Sequence, residues 1–139
     1  MATNTAGSTA RHFRKQMIHY LRCGITYADN GTAKTVGILP AGAQIINLIS
    51  GVYIRTAFNA GTTNVLDIGT SADDDLYATD LALGTKAFVA LDEAATATNV
   101  NTFYVSSDTT ITCTVALTGT AATAGAAEVV IAYVADNDR

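Results

Sequence analysis

The sequence predicts a single all-β domain, a β-sandwich or jelly-roll-like fold, preceded by an extended N-terminal arm. Three observations predict it. Residues 110–118 alternate strictly, with Ile111, Cys113, Val115 and Leu117 on one face and Thr110, Thr112, Thr114, Ala116 and Thr118 on the other. Roughly eight such apolar runs are separated by short turns rich in Gly, Asn, Asp and Ser, the rhythm of an antiparallel sandwich. Helix signal is almost absent, because β-branched and aromatic residues dominate the runs. At 139 residues, with 49% hydrophobic and only 14% charged residues, the chain is long enough to bury one core without disulfides or metals. So few charges imply that part of its surface is covered by an oligomer or an assembly.

Taken in order, residues 1–22 are the arm and residues 23–139 the sandwich. Residues 1–10 are small and polar and have nothing to bury, so they order only against a partner. Between Phe13 and Tyr27 apolar residues fall on both parities, as in a strand covered on both sides; its β-branched and aromatic content outweighs a helix over 11–22. Asp29-Asn30-Gly31 is a turn. Residues 38–70 read as a β-hairpin: a Leu39-Pro40-Ala41-Gly42 turn, a long strand over 43–58, a turn at Asn59-Ala60-Gly61 and a return strand over 64–69.

In the long strand the even positions Ile46, Leu48, Val52, Ile54 and Phe58 form the greasier face. The odd positions Ile45, Asn47, Ile49, Tyr53 and Arg55 are too apolar for open water and are the expected oligomer interface. Gly51 marks a bulge or a close backbone approach. Residues 71–83 are the one stretch able to hold a short helix, capped by Ser71 or Asp73 with Leu76 and Leu83 inward. Strands resume over 85–91, 102–106, 110–118 and 128–135. The order in which they pair is not written in local pattern.

Charge is divided unevenly. Residues 1–28 hold Arg11, Arg14, Lys15 and Arg22 and no acid, while all twelve acids and four bases lie beyond, for a net charge of −4. A basic leader on an acidic body is an interaction-tail pattern, and Phe13, Met17 and Ile18 can fill apolar grooves beside the charges. The acidic body disfavours nucleic acid as the target, and four charges without interleaved aromatics are a weak footprint for it.

No apolar run approaches the ~20 residues that cross a bilayer, and the first residues lack the greasy segment of a signal peptide. Synthesis in a cytoplasm is expected, with no membrane partner. Cys23 and Cys113 are then expected as free, packed thiols. No catalytic, cofactor or metal site is expected. The only histidines, His12 and His19, lie in the leader, far from any glycine-flanked serine, and no phosphate-binding glycine motif occurs. Asp73-Asp74-Asp75, near Asp67 and Asp80, lacks the alternating ligands and central glycine of a calcium loop and reads as a solvated acidic loop.

The wording of residues 38–70, with Leu39-Pro40-Ala41-Gly42-Ala43, then Thr56-Ala57-Phe58-Asn59, Gly61-Thr62 and Asp67-Ile68-Gly69, resembles small structural proteins of tailed bacteriophages. The likeness returns at Thr123-Ala124-Gly125 and in the closing strand from Glu128 to Val134. The resemblance implies a capsid decoration or cement protein: a compact β-domain, commonly a homotrimer, that sits on the outside of the shell and ties major capsid protein subunits together. On that reading Arg11, His12, Phe13, Arg14, Lys15, Met17 and Arg22 form the capsid-docking arm. The alternatives are a head-fibre base, tail or connector-region component and, from another class, a receptor- or carbohydrate-binding module.

Overall fold

The computed structural model describes residues 17–92 and 103–135. Among them are nine strands: β1 (Ile18–Thr26), β2 (Ala33–Leu39), β3 (Gln44–Ile45), β4 (Gly51–Thr56), β5 (Thr63–Gly69), β6 (Ala78–Ala82), β7 (Phe88–Ala90), β8 (Thr109–Thr118) and β9 (Ala126–Val134). Sheet A runs β1-β9-β4-β7, with β3 paired to the end of β9; sheet B runs β2-β8-β5-β6. All the ladders are antiparallel.

The pairing is nested. Among the described strands the first bonds to the last, the second to the next-to-last, and the middle strands fill in, giving two packed antiparallel sheets, the β-sandwich expected. The alternation over β8 is obeyed: Ile111, Cys113 and Val115 are buried, and Leu117 packs against the same core. From the other sheet Val52, Ile54, Val129 and Ile131 meet them.

Nesting also corrects the hairpin expected at residues 38–70. β4 belongs to sheet A and β5 to sheet B, so the turn after Phe58 carries the chain across the sandwich rather than back alongside itself. That crossing is fixed by side chains. Asn59 Oδ1 accepts from the backbone of Thr123 and Ala124, each at 2.9 Å, tying the crossover to the β8–β9 connection. Phe58 fills the space beneath, and its ring lies where a Cβ on Gly125 (φ +148°) would sit.

The single strand expected over 43–58 is broken. A 3-10 turn at Asn47–Ile49 separates β3 from β4. Ser50 closes it: fully buried, its hydroxyl donates to Ile46 O (2.7 Å) and accepts from Ala132 N (2.8 Å). The turn shifts the phase of alternation. Beyond it Val52, Ile54 and Phe58 face the core as expected, but Leu48 is 77% exposed and Ile45, assigned to an outer interface, is a core residue.

No helix forms over 71–83. Thr70 Oγ1 accepts from the amides of Ala72 and Asp73, and Thr70 N donates to Asp73 O, so the capping bonds close a tight turn instead. The turn folds back onto Gly69, where a Cβ would stand 2.2 Å from Asp73 O. Leu83 is buried and Leu76 packs on the core, but from β6 and its flanks. Residues 104–106 form no named strand; Tyr104 makes one bridge, to Gln44. The described part of the 102–106 run is thus a connector.

At the N-terminal boundary β1 runs through residue 22. Arg22 therefore belongs to sheet A and not to an arm, since it sits in continuous register with β9 from Ile18↔Val134 to Thr26↔Ala126. The strand expected to be covered on both sides is covered on one: Ile25 is buried and Leu21 and Cys23 half-buried, while Ile18, Tyr20 and Arg22 are exposed. Arg11, His12, Phe13, Arg14 and Lys15 lie outside the described residues.

Candidate functional site: the outer face of sheet A

Because side chains alternate along a strand, the register fixes which residues share the outer face of sheet A. Arg22 stands opposite Val130, and Gly24 opposite Glu128. Glu128 in turn stands opposite Tyr53 on β4, which pairs with Phe88 on β7. The result is a continuous row across four strands. Tyr53 and Phe88 pack ring against ring, tilted by 32° with centroids 4.5 Å apart, and Ile18 and Tyr20 extend the apolar surface along β1, with exposures of 56% and 62%.

Charge is held in the middle of this surface. Glu128, only 16% exposed, receives Arg22 Nε on one carboxylate oxygen and lies 3.5 Å from Arg55 Nη1 through the other. Both arginine side chains are more than half exposed. One carboxylate between two arginines leaves a unit of positive charge and several outward N–H donors unspent. The glutamate also holds both side chains down on the sheet, so less rotamer freedom is lost when they meet a partner. Between Tyr20 and Tyr53 a shallow cavity of about 320 Å³ is floored by Val130 and Glu128 and edged by Arg22.

The opposite face of the sandwich is different. On sheet B the outward positions are Thr110, Thr112, Thr114, Ala116 and Thr118 on β8, with Thr63, Val65 and Asp67 beside them on β5. Ile38 is its one exposed large apolar side chain among the described residues. A threonine-covered sheet keeps its hydrogen bonds with water, whereas the tyrosines, phenylalanine and isoleucine of sheet A gain by being covered.

Of the interface expected from sequence, Tyr53 and Arg55 lie on this face. Ile49 is 43% exposed in the 3-10 turn packed beside β7 and β9, and Asn47 is half-buried in the same turn. Ile45 is not part of it. Met17 precedes β1, exposed, and Arg22 joins the face from within β1. Sequence reasoning missed Tyr20, Phe88, Glu128 and Val130. The signal was present in Glu128 and Val130, which share one parity of the final strand while the core residues Val129 and Ile131 hold the other.

A second charged region lies at the β5–β6 end. The carboxylates of Asp73, Asp74 and Asp75 fall within 4.8 Å of one another, in solvent. Asp67 is nearby, its Oδ1 accepting from Asp80 N at 2.8 Å. Burial first, and then the charges of Asp80, Asp74 and Asp75, push the Asp67 carboxyl above its usual range despite that bond. A raised carboxyl is a liability where it is ionised: its full contribution to stability is present below the ordinary aspartate range and is lost as pH rises through the folded-state value. Asp67→Asn keeps the oxygen that accepts from Asp80 and removes the charge. The variant is expected to melt higher than the wild type at pH 7–8, by less than about 1 kcal/mol given the partial exposure. The gain disappears in melts run near pH 3.

No protein-family model matches the chain, and no curated protein matches its sequence. Among solved structures it is similar to a chain described as part of the cyanophage Pam1 capsid asymmetric unit. The likeness has a TM-score of 0.60 at 16% identity and covers 97% of this chain and 99% of that one. It extends over the whole length of both and is a likeness of fold.

Proposed function

We propose that this protein is a non-enzymatic structural component of a phage virion that binds the outer surface of the capsid and stabilises it, as a decoration or cement protein does. The observation that carries the reading is the contrast between the two outer faces: sheet A presents aromatic side chains and two glutamate-held arginines, and sheet B presents threonine to water. The fold likeness to a chain of a cyanophage capsid supports it, as does the resemblance of residues 38–70 to phage structural proteins. The partners are the major capsid protein and further copies of this chain, arranged as a trimer. The protein is made in the host cytoplasm and ends on the capsid surface. Binding the assembled lattice and not its dissociated subunits stabilises the lattice by mass action.

On this reading Tyr20, Tyr53 and Phe88 supply the buried area, and Arg22 and Arg55 meet acidic groups of the partner. The basic segment carrying Arg11, His12, Phe13, Arg14 and Lys15 continues from β1 onto a neighbouring subunit.

Co-sedimentation with capsids lacking the protein tests the proposal. The double variant Tyr20→Ser/Tyr53→Ser, which touches no core position, should bind at least roughly 30-fold more weakly, the loss expected when aromatic anchors are truncated. Removal of residues 1–16 should leave a folded domain with weakened binding. If both variants bind as the wild type does, neither surface docks. Gel densitometry of purified particles then separates the positions: hundreds of copies fit decoration, and a dozen or fewer fit a head-fibre base, tail or connector part. The tyrosine-walled cavity gives the carbohydrate-binding alternative one observation in its favour. Glycan binding by the isolated protein, lost in the same double variant, with no binding to capsids by the wild type, would replace the capsid reading.

A further inference from the structure

The two cysteines, about 90 residues apart in the chain, meet across the sandwich. Cys23 projects from the inner side of β1 in sheet A, half-buried; Cys113 projects from the inner side of β8 in sheet B, 1% exposed. Both pack into the same core. Lys34 measures the gap between the sheets here. It stands directly opposite Cys113 in the β2–β8 ladder, and its ammonium donates across to Gly24 O at 2.8 Å, the residue after Cys23, and to Asp29 Oδ2 at 3.2 Å. Cys23 Sγ donates to Gly24 O at 3.6 Å, the carbonyl that Lys34 also reaches; burial first, and then the neighbouring Cys23, push the Cys113 thiol up to about 12. Both thiols are free.

We propose that Cys23 and Cys113 are an oxidation-responsive pair, closing into a disulfide that joins the two sheets when the protein meets a small-molecule disulfide such as oxidised glutathione. Cys23, the accessible partner, acts first. Its thiolate attacks one sulfur of the reagent, forming a mixed disulfide and releasing one glutathione as thiol after protonation. Cys113 then loses its proton and attacks the Cys23 sulfur, displacing the second glutathione. Two protein thiols are oxidised and one reagent disulfide is reduced to two thiols, so hydrogens and electrons balance. A bridge needs Cα atoms within about 7 Å. β1, an edge strand bonded only to β9 within its sheet, is the element that would close inward.

The burial that raises Cys113 persists once Cys23 is capped, so closure is the slow step. Its rate should rise about tenfold per pH unit above neutrality, following the Cys113 thiolate fraction. The bridge would close a loop of roughly 90 residues, and the oxidised protein should melt on the order of 10 °C higher. The test treats the reduced, folded protein with oxidised glutathione and follows intact mass and peptide maps over time at pH 7, 8 and 9. The expected course is a transient glutathione adduct on Cys23, decaying into a species two hydrogens lighter whose map joins the peptides of residues 23 and 113. Cys113→Ser should stop at the adduct, and Cys23→Ser should form neither product at a comparable rate. A stable adduct on Cys23 of the wild type at pH 9, with Cys113 still a free thiol, overturns the proposal. So does a bridge that forms only in denaturant.

Discussion

Val115→Asp is expected to cost ~4 kcal/mol, close to the whole stability margin of many domains of this size. Val115 is 1% exposed at the centre of β8, the strand that bonds both β2 and β5, and packs among Ile111, Cys113, Leu66 and the sheet A residues of one core. A carboxylate there loses its hydration among apolar side chains, and Lys34, opposite Cys113, is already held by Asp29 and Gly24 O. A protonated carboxyl still leaves an unpaired polar group where methyls were packed. The neighbouring substitution Thr114→Asp is the control. Thr114 faces outward and stands opposite Asp67, so it adds a like charge across the ladder and should cost only about 1 kcal/mol. Urea melts of the two variants measure the difference. Equal midpoints would mean that β8 does not have the two faces its alternation describes.

Gly51→Ala is the second large effect, expected at about 3 kcal/mol. Gly51 begins β4 at φ +156°, and a Cβ there would stand 2.1 Å from Val89 O and 2.8 Å from the Ala90 Cα. Neither is the end of a flexible side chain, so the β4–β7 ladder, which holds Gly51, Val52 and Tyr53 against Ala90, Val89 and Phe88, must separate. Because β7 is a three-residue edge strand, the damage should concentrate there. Hydrogen exchange should show Val89 losing protection while the amides of β8 keep most of theirs. Phe88 would leave Tyr53, so under the proposed function capsid binding is expected to fall as well. An unaltered melt and unaltered β7 exchange would contradict the close approach.

The sequence revealed the strands better than their partners, and the residues show why. Alternation over β8 and over residues 52–58 is written in side chains that respond to burial alone, so it could be read in place. The hairpin error at Asn59 arose because a turn signal specifies that the chain bends and not which sheet it enters. The deciding bonds run from Asn59 to Thr123 and Ala124, more than sixty positions away. Ile45 was misassigned for a similar reason: the 3-10 turn that shifts the phase is held by Ser50 against Ala132. At the candidate site Tyr53 and Arg55 were legible as apolar and basic positions on one parity. The outward parity of Glu128 was also written in the final strand, but its partners were not, because it holds Arg22 and Arg55 from two different strands at once.

The position of β9 bears on how the protein is made. Of the described strands it is the last to leave the ribosome, yet it lies inside sheet A, bonding β1 along one edge and β3 and β4 along the other. Until it emerges, β1 has no partner in its sheet and β4 has only the short β7. Sheet B can pair earlier, but Leu66, Ile68, Ile111 and Val115 then have nothing to cover them. Folding of the sandwich therefore waits on one strand insertion, on the slow millisecond-to-second scale of chains dominated by distant contacts. A nascent chain waiting for β9 exposes its apolar sheets to its neighbours, and that one strand ends the exposure for both sheets together.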